Sequence, residues 1–126
     1  MIVLCYHKVN KRDSDWNNIT ISLSTFREQM KYLKDNYSII RTDIAGENDN
    51  SVAISFDDGY EDCITYILPI LEEYNIPATF FISTGKIDTD EENWCNELSR
   101  RIMNLPSTIS RIDIANNQFV TKTYND

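Results

Sequence analysis

Two apolar runs, VAISF at residues 52–56 and ATFFIS at residues 78–83, constrain the fold of this chain more than any other feature. Neither run alternates strictly between apolar and polar residues, as a strand with one solvent-facing side does. Nearly continuous hydrophobicity is typical of strands that are covered on both faces, as in parallel sheets flanked by helices. The sequence therefore predicts an α/β fold with a mainly parallel sheet.

Helical periodicity separates the predicted strands. A helix is predicted over residues 24–36, with Ser22 or Ser24 as its N-cap, because apolar residues recur there on one face. A second helix is predicted over residues 61–75, where Pro69 removes one backbone hydrogen bond and should mark a kink or a break. The residues of the first helix that should pack on the sheet are Phe26, Met30 and Leu33. The remaining predicted elements are strands at residues 2–6 and 37–40 and one helical turn at residues 42–45.

The sequence pattern changes near residue 87, and we place a domain boundary there, between residues 1–87 and 88–126. After an acidic loop, residues 94–104 are predicted to form an amphipathic helix and residues 111–124 a β-hairpin. The hairpin turn is placed at Asn116-Asn117, because asparagine tolerates the positive φ that a tight turn requires. The helix residues expected to face inward are Trp94, Leu98 and Ile102 or Met103.

Charge and cysteine content exclude several classes of protein. The 126 residues contain 12 Lys and Arg against 20 Asp and Glu, and the resulting net charge of −8 repels nucleic acid and anionic membranes. Three widely spaced cysteines form neither a disulfide framework nor a CxxC zinc pair. No apolar run reaches the length of a membrane span. We therefore expect a cytoplasmic protein with reduced thiols and without nucleic-acid or membrane partners.

Two adjacent carboxylates, Asp57 and Asp58, follow the run VAISF directly, and Gly59 comes next. In parallel α/β proteins, functional groups gather at the carboxyl ends of strands. Neighbouring residues on an extended chain point in opposite directions, so we expect the two carboxylates to serve two roles, one in metal binding and one in proton transfer. The same residues could instead serve only as a turn and a helix cap.

Three blocks of the sequence, CYHKV at 5–9, AISFDDGYED at 53–62 and YNIPATFFISTG at 74–85, together resemble the polysaccharide deacetylase family. Members of that family are metal-dependent enzymes that remove N- or O-acetyl groups from sugar polymers. The resemblance implies an incomplete, distorted (β/α) barrel of four or so parallel strands with helices, followed by a C-terminal helix and hairpin insertion. It also implies a hydrolase that acts on carbon–nitrogen bonds other than peptide bonds and takes a carbohydrate substrate.

The resemblance also implies roles for individual residues. It makes Asp57 the catalytic base, Asp58 a ligand of zinc or another divalent metal, and His7 and Tyr60 substrate contacts, although His7 fits a purely structural role equally well. In the family, two histidines of a later motif complete the zinc site, whereas this sequence contains one histidine in total. We therefore expect weak or absent metal binding by these residues and interpret the chain as the amino-terminal part of a deacetylase.

A partial barrel leaves one edge of its sheet uncovered, so the chain is expected to self-associate through that edge. Two other functions stay open. The first is a non-catalytic carbohydrate-binding or assembly module that keeps the scaffold without the metal. The second is a Mg²⁺-dependent phosphoryl-transfer or receiver-type domain, since paired aspartates at a strand end also suit a hard cation.

Overall fold

The computed structural model of the chain describes residues 2–11, 18–44, 50–106, 111–114 and 117–120. The chain divides into two units, Met1–Ile87 and Asp88–Asp126. Within the described residues, no helix is both long enough and apolar enough to cross a membrane.

A four-stranded parallel sheet is the centre of the first unit. Its central strand pairs on one side with the first strand of the chain and on the other side with two short strands placed end to end. The strands are β1 (Ile2–Tyr6), β2 (Lys8–Asn10), β3 (Thr20–Ser22), β4 (Ser38–Ile40), β5 (Ser51–Phe56) and β6 (Thr79–Phe80). The sheet order is β1-β5-β4, and β6 also pairs with β5. Strands β2 and β3 form a separate parallel pair, which the sequence did not predict. The predicted α/β fold with about four parallel strands is confirmed, and the barrel is not closed.

Strand β5 carries the core. All six of its residues are buried, as the continuous apolar run predicted. The ring of Phe56 stacks on Tyr6 and on Phe80, with centroid distances of 5.5 and 5.0 Å, and meets the edge of Phe26 at 5.9 Å. These aromatic contacts join β1, β5, β6 and the first helix at the carboxyl end of the sheet.

The first helix, α1 (Leu23–Asn36), forms as the periodicity predicted. The Oγ atom of Ser22 accepts a hydrogen bond from the backbone N–H of Thr25 at 3.1 Å, so Ser22, of the two candidate serines, is the N-cap. The residues that α1 buries are Phe26, Met30 and Leu33, the three that were predicted.

The predicted break at Pro69 is also present. A π-helical segment at Cys63–Ile67 comes first, and the α-helix α2 (Leu68–Tyr74) begins beside the proline. Proline has no N–H to donate, and the first turn of a helix is where a missing donor costs least. Short 3₁₀ turns lie at Thr42–Ile44, where one helical turn was predicted, and at Thr84–Lys86.

The strand predicted over residues 78–83 is wrong for most of its length. Only Thr79 and Phe80 pair with β5, because that strand ends at Phe56. The N–H of Phe81 donates to the carbonyl of Phe56 at 2.8 Å, and the chain then leaves the sheet. Phe81 and Ile82 are consequently 55% and 52% exposed. Their hydrophobicity is that of a covered strand, but the described residues cover only about half of each side chain.

The second unit contains α3 (Trp94–Met103) and an antiparallel hairpin of β7 (Arg111–Ile114) and β8 (Asn117–Val120). The helix and the hairpin were predicted. Asn117, expected in the turn, instead pairs with Ile114 inside the ladder, while Asn116 lies outside the described residues. The predicted inward helix face is wrong for Trp94, Leu98 and Met103, which are 69%, 38% and 76% exposed. Ile102, the alternative to Met103, is half-buried, and α3 fully buries none of its residues.

The outer edge of β1 motivates a prediction about association. Among the described strands β1 pairs only with β5, and Ile2 and Val3 are half exposed. We propose that a strand from a second copy of the chain pairs along this edge. The apparent mass of the protein should then rise with concentration in size-exclusion chromatography with light scattering. A lysine at position 3 should restore the monomer, since a charged edge residue opposes strand addition. A wild-type monomer at every concentration would contradict the prediction.

Candidate active site at the carboxyl end of the sheet

Strands β1 and β5 end side by side, and this places the residues that follow them at one edge of the sheet. Tyr6 and Phe56 are register partners in the parallel ladder. The N–H of Asp57 continues the ladder by donating to the carbonyl of Tyr6 at 3.0 Å. His7 and Asp57 therefore leave neighbouring strands at the same level, where a parallel sheet collects its functional groups.

The carboxylate of Asp57 contacts a residue that the sequence did not single out. The thiol of Cys5 donates to Asp57 Oδ2, with a distance of 3.3 Å between sulfur and oxygen. Partial burial, together with the nearby carboxylates of Asp57 and Asp58, raises the pKa of the Cys5 thiol, against an opposing hydrogen bond with Ser55. The neutral thiol that results is the form that can donate to a carboxylate. Only the register of β1 against β5 could have revealed this pair.

The chain turns sharply at Asp58 and Gly59, which have φ values of 71° and 72°. Both residues lie in the left-handed region, which glycine enters freely and aspartate more readily than most residues. The expectation that Asp57 and Asp58 share an extended backbone is therefore wrong from Asp58 onward. The turn, and not strand alternation, sets the direction of the second carboxylate.

An alanine at position 59 should destabilise the protein by more than about 1 kcal/mol, because an L-residue is strained at this φ. A Cβ atom there would also lie 3.0 Å from Ile82 Cδ1 and 3.1 Å from Ile82 Cγ2, so Ile82 would have to shift as well. Backbone strain and this close contact act in the same direction. Urea unfolding followed by circular dichroism measures the loss of stability, and alanine at Gly85, whose Cβ would meet nothing within 4 Å, is the control. Equal effects at both positions would contradict the prediction.

Tyr60 lies beside the turn and contacts a cation. The Lys8 Nζ atom is 4.4 Å from the centroid of the Tyr60 ring, a cation–π contact between β2 and the segment after β5. A pocket of about 340 Å³ opens next to this pair, and polar and apolar surface line it about equally. Its lining residues are Lys8, Asn10, Tyr60, Glu61, Asp62, Thr65 and Tyr66.

Asp62 joins the same two segments. Its Oδ2 atom accepts a hydrogen bond from the N–H of Val9 at 2.8 Å, while its Oδ1 atom is buried without a partner among the described residues. Burial raises the pKa of Asp62, and the amide of Val9 and the charge of Lys8 offset part of that effect. No role was predicted for Asp62 from the sequence, although it lies in the block FDDGYED.

The raised pKa of Asp62 predicts a pH dependence of stability. The folded chain holds this proton more tightly than the unfolded chain, whose aspartate has the ordinary pKa of 3.8. The stabilisation by the protonated form is complete below that value and is lost as the pH rises through the folded pKa. Asp62→Asn, which cannot ionise, should therefore gain stability relative to wild type as the pH rises from the ordinary pKa through the raised pKa of the folded state. A difference in unfolding free energy that does not change with pH would contradict this.

The donor atoms in this region do not fit a catalytic zinc ion by themselves. Such sites take three protein ligands and keep one position for water. The chain contains a single histidine, and the described residues include no group of three or more His, Cys, Asp and Glu side chains arranged to hold a metal. The predicted metal role of Asp58, like the substrate contacts of His7 and Tyr60, stays a prediction.

Comparisons with known proteins point in one direction. The sequence pattern of the family described as polysaccharide deacetylase matches residues 45–125. A poly-β-1,6-N-acetyl-D-glucosamine N-deacetylase of Staphylococcus aureus is 31% identical over 115 residues, which cover 75% of this chain and 39% of that enzyme.

Two solved structures share the fold. A de-N-acetylase from Aggregatibacter actinomycetemcomitans superposes with a TM-score of 0.60 at 26% identity, covering 94% of this chain and 44% of that one. IcaB from Ammonifex degensii gives a TM-score of 0.61 at 26% identity, covering 72% and 41%. The chain thus spans less than half the length of these relatives. With the aspartate pair at the end of β5 and the family pattern over most of the sequence, this chain belongs to the polysaccharide deacetylase family.

Proposed function

We propose that this chain contributes the general base of a carbohydrate deacetylase. The observation that carries the proposal is Asp57, held at the carboxyl end of β5 by a backbone bond to Tyr6 and a thiol bond from Cys5. This carboxylate is partly exposed and lies inside the family pattern. A base at such a position can reach both a water molecule and a substrate that approaches the open end of the sheet.

The reaction that we infer is hydrolysis of an acetamide. A water oxygen attacks the acetyl carbonyl carbon, and Asp57 accepts the proton that the water loses. The carbon–nitrogen bond then breaks as the proton held by Asp57 passes to the departing nitrogen, acetate leaves, and the Asp57 carboxylate is regenerated. Tyr60 and His7 lie at the same edge of the sheet and are proposed to contact the sugar.

The substrate class that we propose is a polymer of N-acetylated glucosamine, on the strength of the staphylococcal relative's name and of its 31% identity to this chain. The phosphoryl-transfer and non-catalytic interpretations find no support, since the relatives and neighbours described above are deacetylases.

Members of the family generally use a divalent metal. We propose that Asp58 is one ligand and that the others come from outside these 126 residues, because the chain has a single histidine. The isolated chain should then release no acetate above background, with or without added zinc.

The experiment that tests the proposed function is a chimaera in which this chain replaces the matching segment of the staphylococcal deacetylase. The chimaera should release acetate from β-1,6-linked N-acetylglucosamine oligomers, as measured by an enzyme-coupled acetate assay. A chimaera that is folded by circular dichroism and binds zinc, yet releases no acetate, would overturn the proposal.

A further inference from the structure

We propose that Asp62 is a positioning residue that fixes the turn carrying Asp57 and Asp58 against the segment carrying His7. This inference rests on the proposed function, because it concerns the site where deacetylation would occur. Asp62 itself is assigned no contact with substrate.

Two hydrogen bonds bracket the candidate site. At one end the N–H of Asp57 donates to the carbonyl of Tyr6 at 3.0 Å. At the other end the N–H of Val9 donates to Asp62 Oδ2 at 2.8 Å. Each bond joins the segment that follows β1 to the segment that follows β5.

The residues of interest lie between these two bonds. His7 lies between Tyr6 and Val9 on one segment, and Asp58 lies between Asp57 and Asp62 on the other. Asp57, at the first bond, continues a regular sheet ladder, which fixes one end of the bracket without help from a side chain. At the second end Val9 lies in the ladder of β2 with β3, and the Asp62 carboxylate joins that strand to the segment that follows β5.

The turn between the bonds needs this constraint. Asp58 and Gly59 both have left-handed backbones, and glycine has more conformational freedom than any other residue. If the Asp62 end were released, the segment could move about the Asp57 end and change the position of the Asp58 carboxylate. Val9 is fully buried, so a bond to its N–H anchors the segment to the core.

The chemistry of the Asp62 side chain agrees with a holding role. Its Oδ1 atom is buried without a hydrogen-bond partner among the described residues, so Oδ2 is the atom through which this carboxylate joins the two segments. The contact of Lys8 with the Tyr60 ring lies inside the bracket and shows that the two segments meet along their length.

Amide hydrogen exchange by NMR on the 126-residue chain tests the proposal without requiring turnover, so its failure is distinct from failure of the deacetylase proposal. In Asp62→Ala the amides of Val9 and Asp57 should exchange at least about tenfold faster, while the central β5 amide of Ile54 keeps its rate. The imidazole signal of His7, which is the single histidine of the chain, should shift.

Two variants complete the test. Asp62→Asn keeps an acceptor and should restore the wild-type exchange of Val9 and Asp57. Glu61→Ala removes a neighbouring, exposed carboxylate and should change neither amide. If Asp62→Ala fails to fold, Asp62→Ser replaces it, since its shorter side chain cannot span to Val9.

Three results would overturn the proposal. Exchange could accelerate at Val9 alone, while the amide exchange of Asp57 and the imidazole signal of His7 stay unchanged. The bond would then not position the candidate site. Val9 could remain protected in Asp62→Ala, which would show that the bond does not matter. Asp62→Asn could behave like Asp62→Ala, which would show that an acceptor at this position is not what the site requires.

Discussion

Asparagine in place of Asp57 is expected to lower acetate release by the staphylococcal chimaera about 10²–10⁴-fold. The amide keeps the shape of the side chain and can still accept the thiol hydrogen bond of Cys5, but it cannot take a proton from water. The loss should appear in kcat, because the substrate contacts remain in place. Steady-state acetate release over a range of oligomer concentrations separates kcat from KM.

Glu61→Gln is the matched control for that substitution. Glu61 is an exposed carboxylate four residues further on, and its neutralisation removes the same charge from the same segment. The control should keep its activity within about twofold, since an exposed group contributes little. A comparable loss in both variants would mean that charge near the site, and not proton transfer by Asp57, determines the rate.

Phe56→Ala is expected to lower the free energy of unfolding by about 3–5 kcal/mol. Phe56 is fully buried at the end of β5, and its ring contacts Tyr6, Phe80 and Phe26. Truncation leaves a cavity at the point where these elements meet, so the loss exceeds the transfer free energy of the ring alone. Urea unfolding followed by tyrosine fluorescence and circular dichroism measures the change.

Phe81→Ala supplies the comparison for the aromatic substitution. Phe81 is 55% exposed and lies beyond the strand, so its removal should change stability by no more than about 0.5 kcal/mol. Equal losses of unfolding free energy in the two variants would mean that Phe81 is buried in solution by something other than the described residues. Association through this end of the sheet would then be the first explanation to examine.

Local patterns were sufficient where each residue's surroundings come from nearby in the chain. The face of α1 that buries Phe26, Met30 and Leu33 follows from helical periodicity, and its N-cap follows from serine chemistry. The continuous apolar run of β5 predicted a buried strand, and all six of its residues are buried. In both cases a single element carries enough information to identify its buried face.

Local patterns failed where the surroundings are supplied by distant segments or by the backbone. The run ATFFIS has the composition of a covered strand, yet Phe81 and Ile82 are about half exposed among the described residues. The left-handed backbone of Asp58 cannot be read from a strand pattern, and the contact between Cys5 and Asp57 depends on a register 52 residues apart in sequence. The exposure of the apolar residues of α3 has the same explanation. Periodicity identifies the apolar face of a helix but not the segment that would cover that face.

The left-handed backbone at residue 58 also restricts which substitutions natural variation or a mutant library can tolerate there. Asparagine, aspartate and glycine adopt that conformation most readily, whereas β-branched side chains are strongly disfavoured. A metal ligand, in contrast, would call for a carboxylate and would admit glutamate on chemical grounds. Aspartate alone satisfies both requirements. A saturation library at this position should therefore retain Asp, Asn and Gly when the variants are selected for folding. When the chimaera is selected for acetate release, Asp should be the one residue retained.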